Sequence, residues 1–354
     1  MTSVAEFAPA LPRVQVVHGR EEFSRIADEY DAFAQRCAVP VSARAAWTKA
    51  ALDAVSTTEP FGVFLRTDSG ELTAGVVLLV VPGPGFDTIV PPGGLDHRAA
   101  VVAADADDAE RLGDALSGVL GQWPRPTFLR LGPLPADSPV MQRFAAAIPT
   151  ATIAPIESIP VVRRTASADA ENYLSHNTKR ALRRSYNRIV RDGVTVDLQF
   201  TRDIDEVMTL VPSMADACRD RDHAHGRISP LDDEIGRALW QRRLELLVAA
   251  DMVELAVLHL DGELAAYVVG VLDGLTYRLL EGRFVTKFSR YSPGRLLEAS
   301  VLQRVLDDPT LDTLDWMTSV APETLLVANA HDDVVMVSAE VEQQSAVGAR
   351  MAYR

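Results

Sequence analysis

The segment RYSPGRLLEASVL (290–302) carries residues that suit anion binding at the start of a helix. Pro293 fits the first turn of a helix, Gly294 allows the backbone to approach a ligand closely, and Ser292 can cap the helix. Backbone N–H groups at such a helix start attract anions. The same segment supplies two positive charges, Arg290 and Arg295. It therefore predicts a phosphate-binding loop, with an ordinary capped surface helix as the alternative.

A second group of charges lies on a predicted helix over 171–192, which Gly193 ends. Its basic residues are Lys179, Arg180, Arg183, Arg184, Arg188 and Arg191. Its apolar stripe, at helical spacing, consists of Leu182, Tyr186, Ile189 and Val190. The basic residues suit the phosphates of a nucleic acid. They equally suit a solvated face that pairs with the acidic residues of this chain, and we favour that interpretation.

The segment CRDRDHAHGRISP (218–230) is predicted to link two helices and contains His223 and His225. The spacing of these histidines brings them to one side only in a strand, and no further ligand is evident nearby, so we predict no metal site. The sequence contains no G-x-S-x-G, H-E-x-x-H or G-x-x-x-x-G-K-[ST] motif. It therefore gives no sign of a serine nucleophile, a zinc peptidase or a P-loop.

Composition indicates a globular chain, with 47% hydrophobic and 24% charged residues. A net charge of −14 makes it a poor general binder of nucleic acid. The longest apolar run, 74–81, is far shorter than the roughly 20 residues of a membrane span. The chain begins without a secretory pattern, and its two cysteines, Cys37 and Cys218, give no disulfide framework. We expect a cytoplasmic protein without a membrane span.

The second half of the chain predicts a three-stranded antiparallel meander. Its apolar segments 253–260, 263–272 and 275–284 are separated by two Asp-Gly pairs, which supply the positive φ that tight turns require. A strand at 194–200 and helices near 203–220 and 231–249 precede the meander. A helix within 291–308 and a short strand at 311–316 follow it, and this order joins parallel strands.

The first half repeats this order of elements. GELTAGVV (70–77) and GELAAYVV (262–269) are nearly the same phrase. The predicted strands of the first half are 13–17, 61–67, 71–81, 86–90 and 127–132, and its predicted helices are 20–36, 42–55 and near 107–122. We interpret the chain as a duplication of an α+β unit, with domains at 11–160 and 161–345.

The two copies differ after the meander. The first copy contains four prolines that remove backbone N–H groups, Pro82, Pro84, Pro91 and Pro92. Its next helix is preceded by ADADD (104–108), whose carboxylates would repel a phosphate. Only the second copy keeps the predicted phosphate-binding loop.

This order of elements resembles the GNAT acyltransferase fold. NTKRALRRSYNRIVRDG (177–193) and YSPGRLL (291–297), within a tandem arrangement, are similar to the FemAB-like and CelD-like branch of that superfamily. The resemblance implies an α+β protein with a mixed α/β sheet, built from two tandem GNAT-like (acyl-CoA N-acyltransferase) domains. It also implies that the first domain is degenerate and that the second binds acyl-CoA.

The resemblance further implies where the coenzyme binds. GNAT enzymes bind acyl-CoA where the fourth and fifth strands splay apart, and the fourth strand here is 276–284. The diphosphate would lie on the loop and the helix start, at Arg290, Ser292, Gly294, Arg295 and Leu296. Many CelD-like chains continue the fifth strand with a Gly and a Tyr-Lys pair, whereas this chain has LDWMTSVAPETLLVANA (314–330).

Acyl transfer to an amine needs a base near the splay, and Glu281 is the first candidate. Its alternative role is a solvated carboxylate at a strand end, paired with Arg278 or Arg283. The further candidates are Tyr277 and Tyr291 as proton donors, or packing residues, and His225 on the acceptor side.

We therefore expect an N-acyltransferase that moves an acyl group, acetyl in the first instance, from acyl-CoA to an amine of a small-molecule or peptide acceptor, without a metal. Two alternatives stay open. One is a FemAB-type transferase that uses aminoacyl-tRNA and holds the tRNA on the basic helix. The other is a catalytically inactive GNAT-like binding protein.

Overall fold

The architecture comes from a computed structural model that describes residues 12–92, 98, 101–166, 169–317 and 325–342. Its strands are β1 (Arg13–His18), β2 (Glu59–Arg66), β3 (Leu72–Pro82), β4 (Asp87–Val90), β5 (Val102–Ala103), β6 (Thr127–Pro135), β7 (Thr152–Arg163), β8 (Val196–Thr201), β9 (Val253–Leu260), β10 (Glu263–Asp273), β11 (Thr276–Phe284), β12 (Thr313–Asp315) and β13 (Ala330–Val341). Its α-helices are α1 (Arg20–Arg36), α2 (Ala45–Ala54), α3 (Ala106–Leu120), α4 (Pro139–Ala147), α5 (His176–Arg191), α6 (Ile204–Ala224), α7 (Glu234–Ala249) and α8 (Pro293–Asp307).

The strands form one mixed sheet in the order β1-β2-β3-β4-β6-β13-β7-β12-β11-β10-β9-β8, with β5 attached to β3. Each half of the sheet begins with an antiparallel meander, β1 to β4 in one half and β8 to β11 in the other. Each meander ends in a parallel pair, β4 with β6 and β11 with β12, and a helix lies between the paired strands in the chain. The predicted fold class and the repeated order of elements are confirmed.

Helices cover both faces of each half of the sheet. Side chains of β3 alternate between two cores: Val76 packs with α3, whereas Val77 packs with α1. This alternation is the period-two pattern of a strand buried on both faces. In the second half, α8 packs on one face, and α6 and α7 pack on the other.

The two halves meet through strands that the sequence analysis did not predict. The last strand, β13, lies between β6 and β7, and β7 pairs in turn with β12. The late strand β13 thus completes the first half of the sheet. The predicted domain division at residue 160 falls inside β7, and it stays a prediction.

The turn at Asp261-Gly262 follows the sequence prediction, because both residues have positive φ, 51° and 77°. One element is longer than predicted. Helix α6 runs to Ala224, so the first part of the predicted connection 218–230 is helical.

Candidate active site

Strands β11 and β12 separate soon after they pair. Their parallel register runs only from Thr276 opposite Thr313 to Arg278 opposite Asp315. Strand β12 ends there, whereas β11 continues to Phe284. Within the described chain, the edge of β11 that faces β12 therefore has no strand partner beyond Arg278. We call residues 279–284 the overhang.

A β-bulge lies at the root of the overhang. Val269 of β10 is opposite Glu281, and Gly270 is opposite Leu279, so Leu280 is an extra residue in β11. A bulge bends a strand and re-aims its side chains. Tyr277 and Leu279 pack with α8, whereas Val269 and Leu280 pack with α6 and α7.

The carboxylate of Glu281 is held by two donors. Trp240 of α7 donates from Nε1 to Oε2 at 2.9 Å, and the Tyr267 hydroxyl of β10 donates to Oε1. The ion-paired alternative is not observed: Arg278 pairs with two buried aspartates, and Arg283 donates to the carbonyl of Gly282. Glu281 is half-buried and hydrogen-bonded, and it is one of the residues of the overhang.

The start of α8 is not capped by a side chain. Ser292 has left-handed backbone angles (φ 51°, ψ 50°), and its side chain makes no capping hydrogen bond, so the predicted cap is wrong. The carbonyl of Ser292 accepts from the amide of Leu296 at 3.2 Å, and this amide is therefore engaged within the helix. Gly294 precedes that first intrahelical bond, and its N–H has no intrahelical acceptor.

Gly294 lies against the end of the overhang. A Cβ at this position would be 3.4 Å from Cδ1 of Phe284. This is an ordinary van der Waals distance, so the start of α8 lies next to the end of β11. An uncapped helix start and a strand edge without a partner among the described residues therefore lie side by side.

The equivalent region of the first half has neither feature. Strand β4 pairs with β6 from Asp87 to Ile89 and extends only to Val90. At the start of α3, the Asp105 side chain accepts from the amide of Asp108 at 2.8 Å, so this helix is capped by its own carboxylate. The two copies therefore differ at this point in the structure, and the phosphate-binding role of the second copy stays a prediction.

Comparison with known proteins assigns the second half to a family. Residues 176–323 match the family described as an acetyltransferase (GNAT) domain. The second half is a GNAT-type domain. The matched range contains the overhang, Glu281 and the start of α8. No curated protein sequence matches the chain.

Solved structures share the fold of the whole chain. FemX has a TM-score of 0.61 at 11% identity, over 84% of this chain and 88% of that chain. The C-terminal domain (DUF2156) of a putative lysylphosphatidylglycerol synthetase from Agrobacterium fabrum has a TM-score of 0.54 at 12% identity, over 93% and 94% of the two chains. A tandem GNAT protein from the clavulanic acid biosynthesis pathway has a TM-score of 0.52 at 12% identity, over 94% and 100%. At these identities the likeness concerns the fold alone.

The two candidate tyrosines of the GNAT domain are engaged in packing and hydrogen bonding. Tyr277 is fully buried on the α8 side, where burial raises its pKa, and a Cβ at Gly270 would collide with its hydroxyl. Burial raises the pKa of Tyr291, and its hydroxyl donates a hydrogen bond to the Asp192 carboxylate at 3.2 Å. Asp192 also forms an ion pair with Arg290, whose charge is therefore partly neutralised.

The two histidines are engaged at the end of α6. Nε2 of His223 lies 2.8 Å from a carboxylate oxygen of Asp232. Nδ1 of His225 lies 2.9 Å from the backbone carbonyl of Arg221 and 3.1 Å from the guanidinium of the same residue. Neither ring is oriented by a contact with Glu281. In the part of the chain that the structure describes, no cluster of three or more metal-ligating side chains occurs.

Helix α5 differs from the sequence prediction in its apolar stripe. Ile189 is buried, but Tyr186 is 58% exposed and Val190 is 61% exposed. The helix contacts the loop before α8, where Arg188 donates to the carbonyl of Arg290. The predicted pairing with acidic residues is largely missing. Five of the six basic residues form no ion pair with the described residues, namely Lys179, Arg180, Arg183, Arg184 and Arg188, and only Arg191 pairs, with Asp192.

Three residues near the site were missed by the sequence analysis. Trp240 and Tyr267 meet Glu281 from elements far apart in the chain, and no local pattern marks them. Glu298 of α8 is half-buried with its Oε2 atom enclosed, and burial raises its pKa to about 7. A glutamate inside the apolar run LLEASVL was the available signal.

Two surface recesses lie away from this site. One, of about 430 Å³, is lined by Arg98, Arg163 and Asp332 among others, and one of about 380 Å³ lies between α2 and α7. Neither recess is lined by residues of the overhang. No helix in the described ranges is long and apolar enough to cross a membrane. Residues 318–324, the centre of the segment that departs from the CelD-like ending, lie outside the described residues.

Proposed function

We propose that the GNAT domain transfers an acyl group, acetyl in the first instance, from acyl-CoA to an amine of a small-molecule or peptide acceptor. One observation carries this proposal. The second half combines an unpaired strand edge with an uncapped helix start, whereas in the first half the corresponding strand is short and the corresponding helix is capped by Asp105.

The overhang and the helix start suit the two polar parts of a coenzyme A molecule. Unpaired backbone groups of residues 279–284 are available to the amides of an extended pantetheine chain. The positive end of α8 and the amide of Gly294 suit a diphosphate. The side chain of Arg295 lies in the same turn. Arg290 contributes less, because Asp192 already pairs with it.

The chemistry requires one proton acceptor and no covalent enzyme intermediate. Glu281, or a water that it orders, takes a proton from the attacking amine. The nitrogen forms a bond with the thioester carbonyl carbon, the carbon–sulfur bond breaks, and the thiolate leaves and is protonated. The proposal gives His225 and Tyr291 no part in this step, because their polar atoms are engaged elsewhere.

Thermal unfolding with CoA, acetyl-CoA and bulk tRNA tests the donor. A ligand that binds only the folded state raises the melting temperature, with about 2.7 kcal/mol of added stability at a hundredfold excess over Kd. We expect an increase with CoA and acetyl-CoA and none with tRNA. An increase with tRNA alone would overturn the proposal.

A pair of tryptophan substitutions locates the binding site. Gly294→Trp is expected to abolish the CoA-induced increase, because the side chain would fill the gap between α8 and Phe284. Asp107→Trp, at the same position of the first-half helix, is exposed and should leave the increase intact. Each variant's melting temperature without ligand shows whether it has folded. An unchanged increase in a folded Gly294→Trp variant would place the coenzyme elsewhere.

The unpaired cations of α5 favour a second candidate, a transferase that uses aminoacyl-tRNA. Reversing Arg183 and Arg184 to Glu should leave CoA binding and acyl transfer nearly unchanged if the first proposal is right. The matched control reverses Arg25 and Arg36 on the exposed face of α1. A loss of activity confined to the α5 variant, together with lost tRNA binding, would favour the second candidate.

A further inference from the structure

Glu281 is contacted from two elements of the GNAT domain. Trp240 on α7 and Tyr267 on β10 each donate one hydrogen bond to it, and each bond goes to a different carboxylate oxygen. Tyr267 is fully buried, and its position is fixed by the core between the sheet and the helices α6 and α7. Cys218 of α6 lies close enough for the charge of Glu281 to raise the pKa of its thiol, in addition to burial.

The helix that carries Trp240 is anchored in the first half of the chain. Helix α7 packs along α2, where the guanidinium of Arg243 lies 4.2 Å from the ring centre of Trp47. Trp47 is fully buried and donates from its indole nitrogen to the carbonyl of Pro92 at 2.9 Å. The position of Trp240 therefore depends on contacts with the first half.

Two donors leave some hydrogen-bond acceptor sites of the Glu281 carboxylate unused. An ionised carboxylate has about four lone-pair sites, and the indole and the phenol occupy two of them. The remaining sites can accept from an amine or a water. Because the two donors bind different oxygens, together they stop rotation of the carboxylate.

We infer that Trp240 and Tyr267 are positioning residues that hold the Glu281 carboxylate oriented toward the acceptor amine. This inference rests on the proposed function. Tyr267 does not itself supply a proton, because burial and the neighbouring carboxylate raise its pKa well above the usual value. The other charged or titratable groups that face Glu281 are Cys218, whose thiol burial keeps neutral, and Arg283.

The first test follows the indole N–H of Trp240 by NMR in protein labelled with ¹⁵N-tryptophan. Its resonance, assigned by its loss in Trp240→Phe, should move in Glu281→Gln, because the indole loses a carboxylate acceptor. Tyr267→Phe should also move it, because the carboxylate loses the donor that fixes its other oxygen. Tyr277→Phe is the matched control, since this tyrosine is buried on the opposite face and its hydroxyl has no partner among the described residues. An unchanged indole resonance in Tyr267→Phe would overturn the inference.

The second test is a double-mutant cycle on thiol release from acetyl-CoA, with propylamine as the probe acceptor. Glu281→Gln should lower kcat by about 10²-fold or more, and Tyr267→Phe by about tenfold with the KM for acetyl-CoA unchanged. When Tyr267→Phe is added to the Glu281→Gln variant, it should have no further effect. An equal loss with and without Glu281 would contradict a role through this carboxylate.

The outcomes separate the two proposals. If Glu281→Gln keeps the full rate, the proposed base is wrong and the inference fails with it. If Glu281→Gln is slow but Tyr267→Phe is not, only the inference fails. If the wild type releases no thiol with propylamine, transfer to a simple amine is contradicted, whereas the indole resonance still decides whether the two donors hold the carboxylate.

Discussion

Glu298 is a carboxyl group in the interior of the GNAT domain, one turn after Gly294 on α8. Its Oε2 atom is buried and has no hydrogen-bond partner among the described residues. Burial raises its pKa from 4.5 to about 7, while the nearby Arg295 acts in the opposite direction. The folded chain therefore binds this proton more tightly than the unfolded chain does.

The expected consequence is a loss of stability as pH rises. Below about pH 4.5 the group is protonated in both states, and between 4.5 and 7 only the folded state keeps the proton, so the free energy of unfolding falls across this window. The loss is complete above pH 7 and is on the order of 3 kcal/mol. Glu298→Gln should remove it, whereas Glu71→Gln on the surface should not. Urea unfolding at pH 5 and pH 8 measures the difference. The same pH dependence in wild type and Glu298→Gln would contradict this account.

At the residue scale, the sequence predicted where a residue lies in a strand or helix better than it predicted which distant residues contact it. Glu281 and Gly294 were identified because a strand end and a helix start are local features. Trp240 and Tyr267 could not be identified, because their contact with Glu281 depends on how α7 packs on the sheet. The cap at Ser292 was predicted from residue type, and it is absent because the backbone is left-handed there.

At the element scale, the two corresponding helices begin differently. Helix α3 is capped by Asp105, with two further acidic residues in its first turn. Helix α8 has no side-chain cap and no acidic residue in its first turn. We therefore expect an anion to be repelled at one helix start and attracted at the other.

Removing each N-cap side chain should expose this difference. Asp105→Ala should lower the free energy of unfolding by about 1 kcal/mol, because a buried amide loses its acceptor. Ser292→Ala should change it by less than about 0.5 kcal/mol, because no capping bond is lost. Urea unfolding of the two variants is the measurement. A comparable loss in Ser292→Ala would show that this serine caps α8 in solution.

The elements that were predicted are those with a clear local period. The meander strands alternate or run apolar between Asp-Gly turns, and they were found within one to three residues of their observed ends. Strand β7 was missed because Pro155 and Pro160 interrupt it and most of its first half is exposed. Strand β13 was missed because it begins with His331 and two aspartates.

At the scale of the whole molecule, buried ion pairs join the two halves. Asp315, 1% exposed, accepts from Arg98 at 2.8 Å and also pairs with Arg278. Arg278 reaches Asp273 at 2.7 Å, and Asp273 accepts from the amide of Val41 in the first half at 2.9 Å. Pairing of β13 with β6 adds a backbone connection. No local sequence pattern predicts such contacts.

Breaking this network should be costly. Asp315→Ala would leave two buried guanidinium groups without their shared acceptor, and we expect a loss of about 3–5 kcal/mol in the free energy of unfolding. The control is Asp68→Ala, whose pair with Arg13 is exposed and 3.9 Å long, and its effect should be below about 1 kcal/mol. A loss under about 1 kcal/mol for Asp315→Ala would mean that the pairs do not join the halves energetically.

The central claim is that two halves of one sheet share a fold and only the second holds the coenzyme. A crystal structure with acetyl-CoA measures this directly. The account predicts density along residues 279–284, with the diphosphate at the amide of Gly294 and the thioester near Glu281. Density against β4 and the start of α3, or no bound coenzyme at saturating concentration, would contradict it.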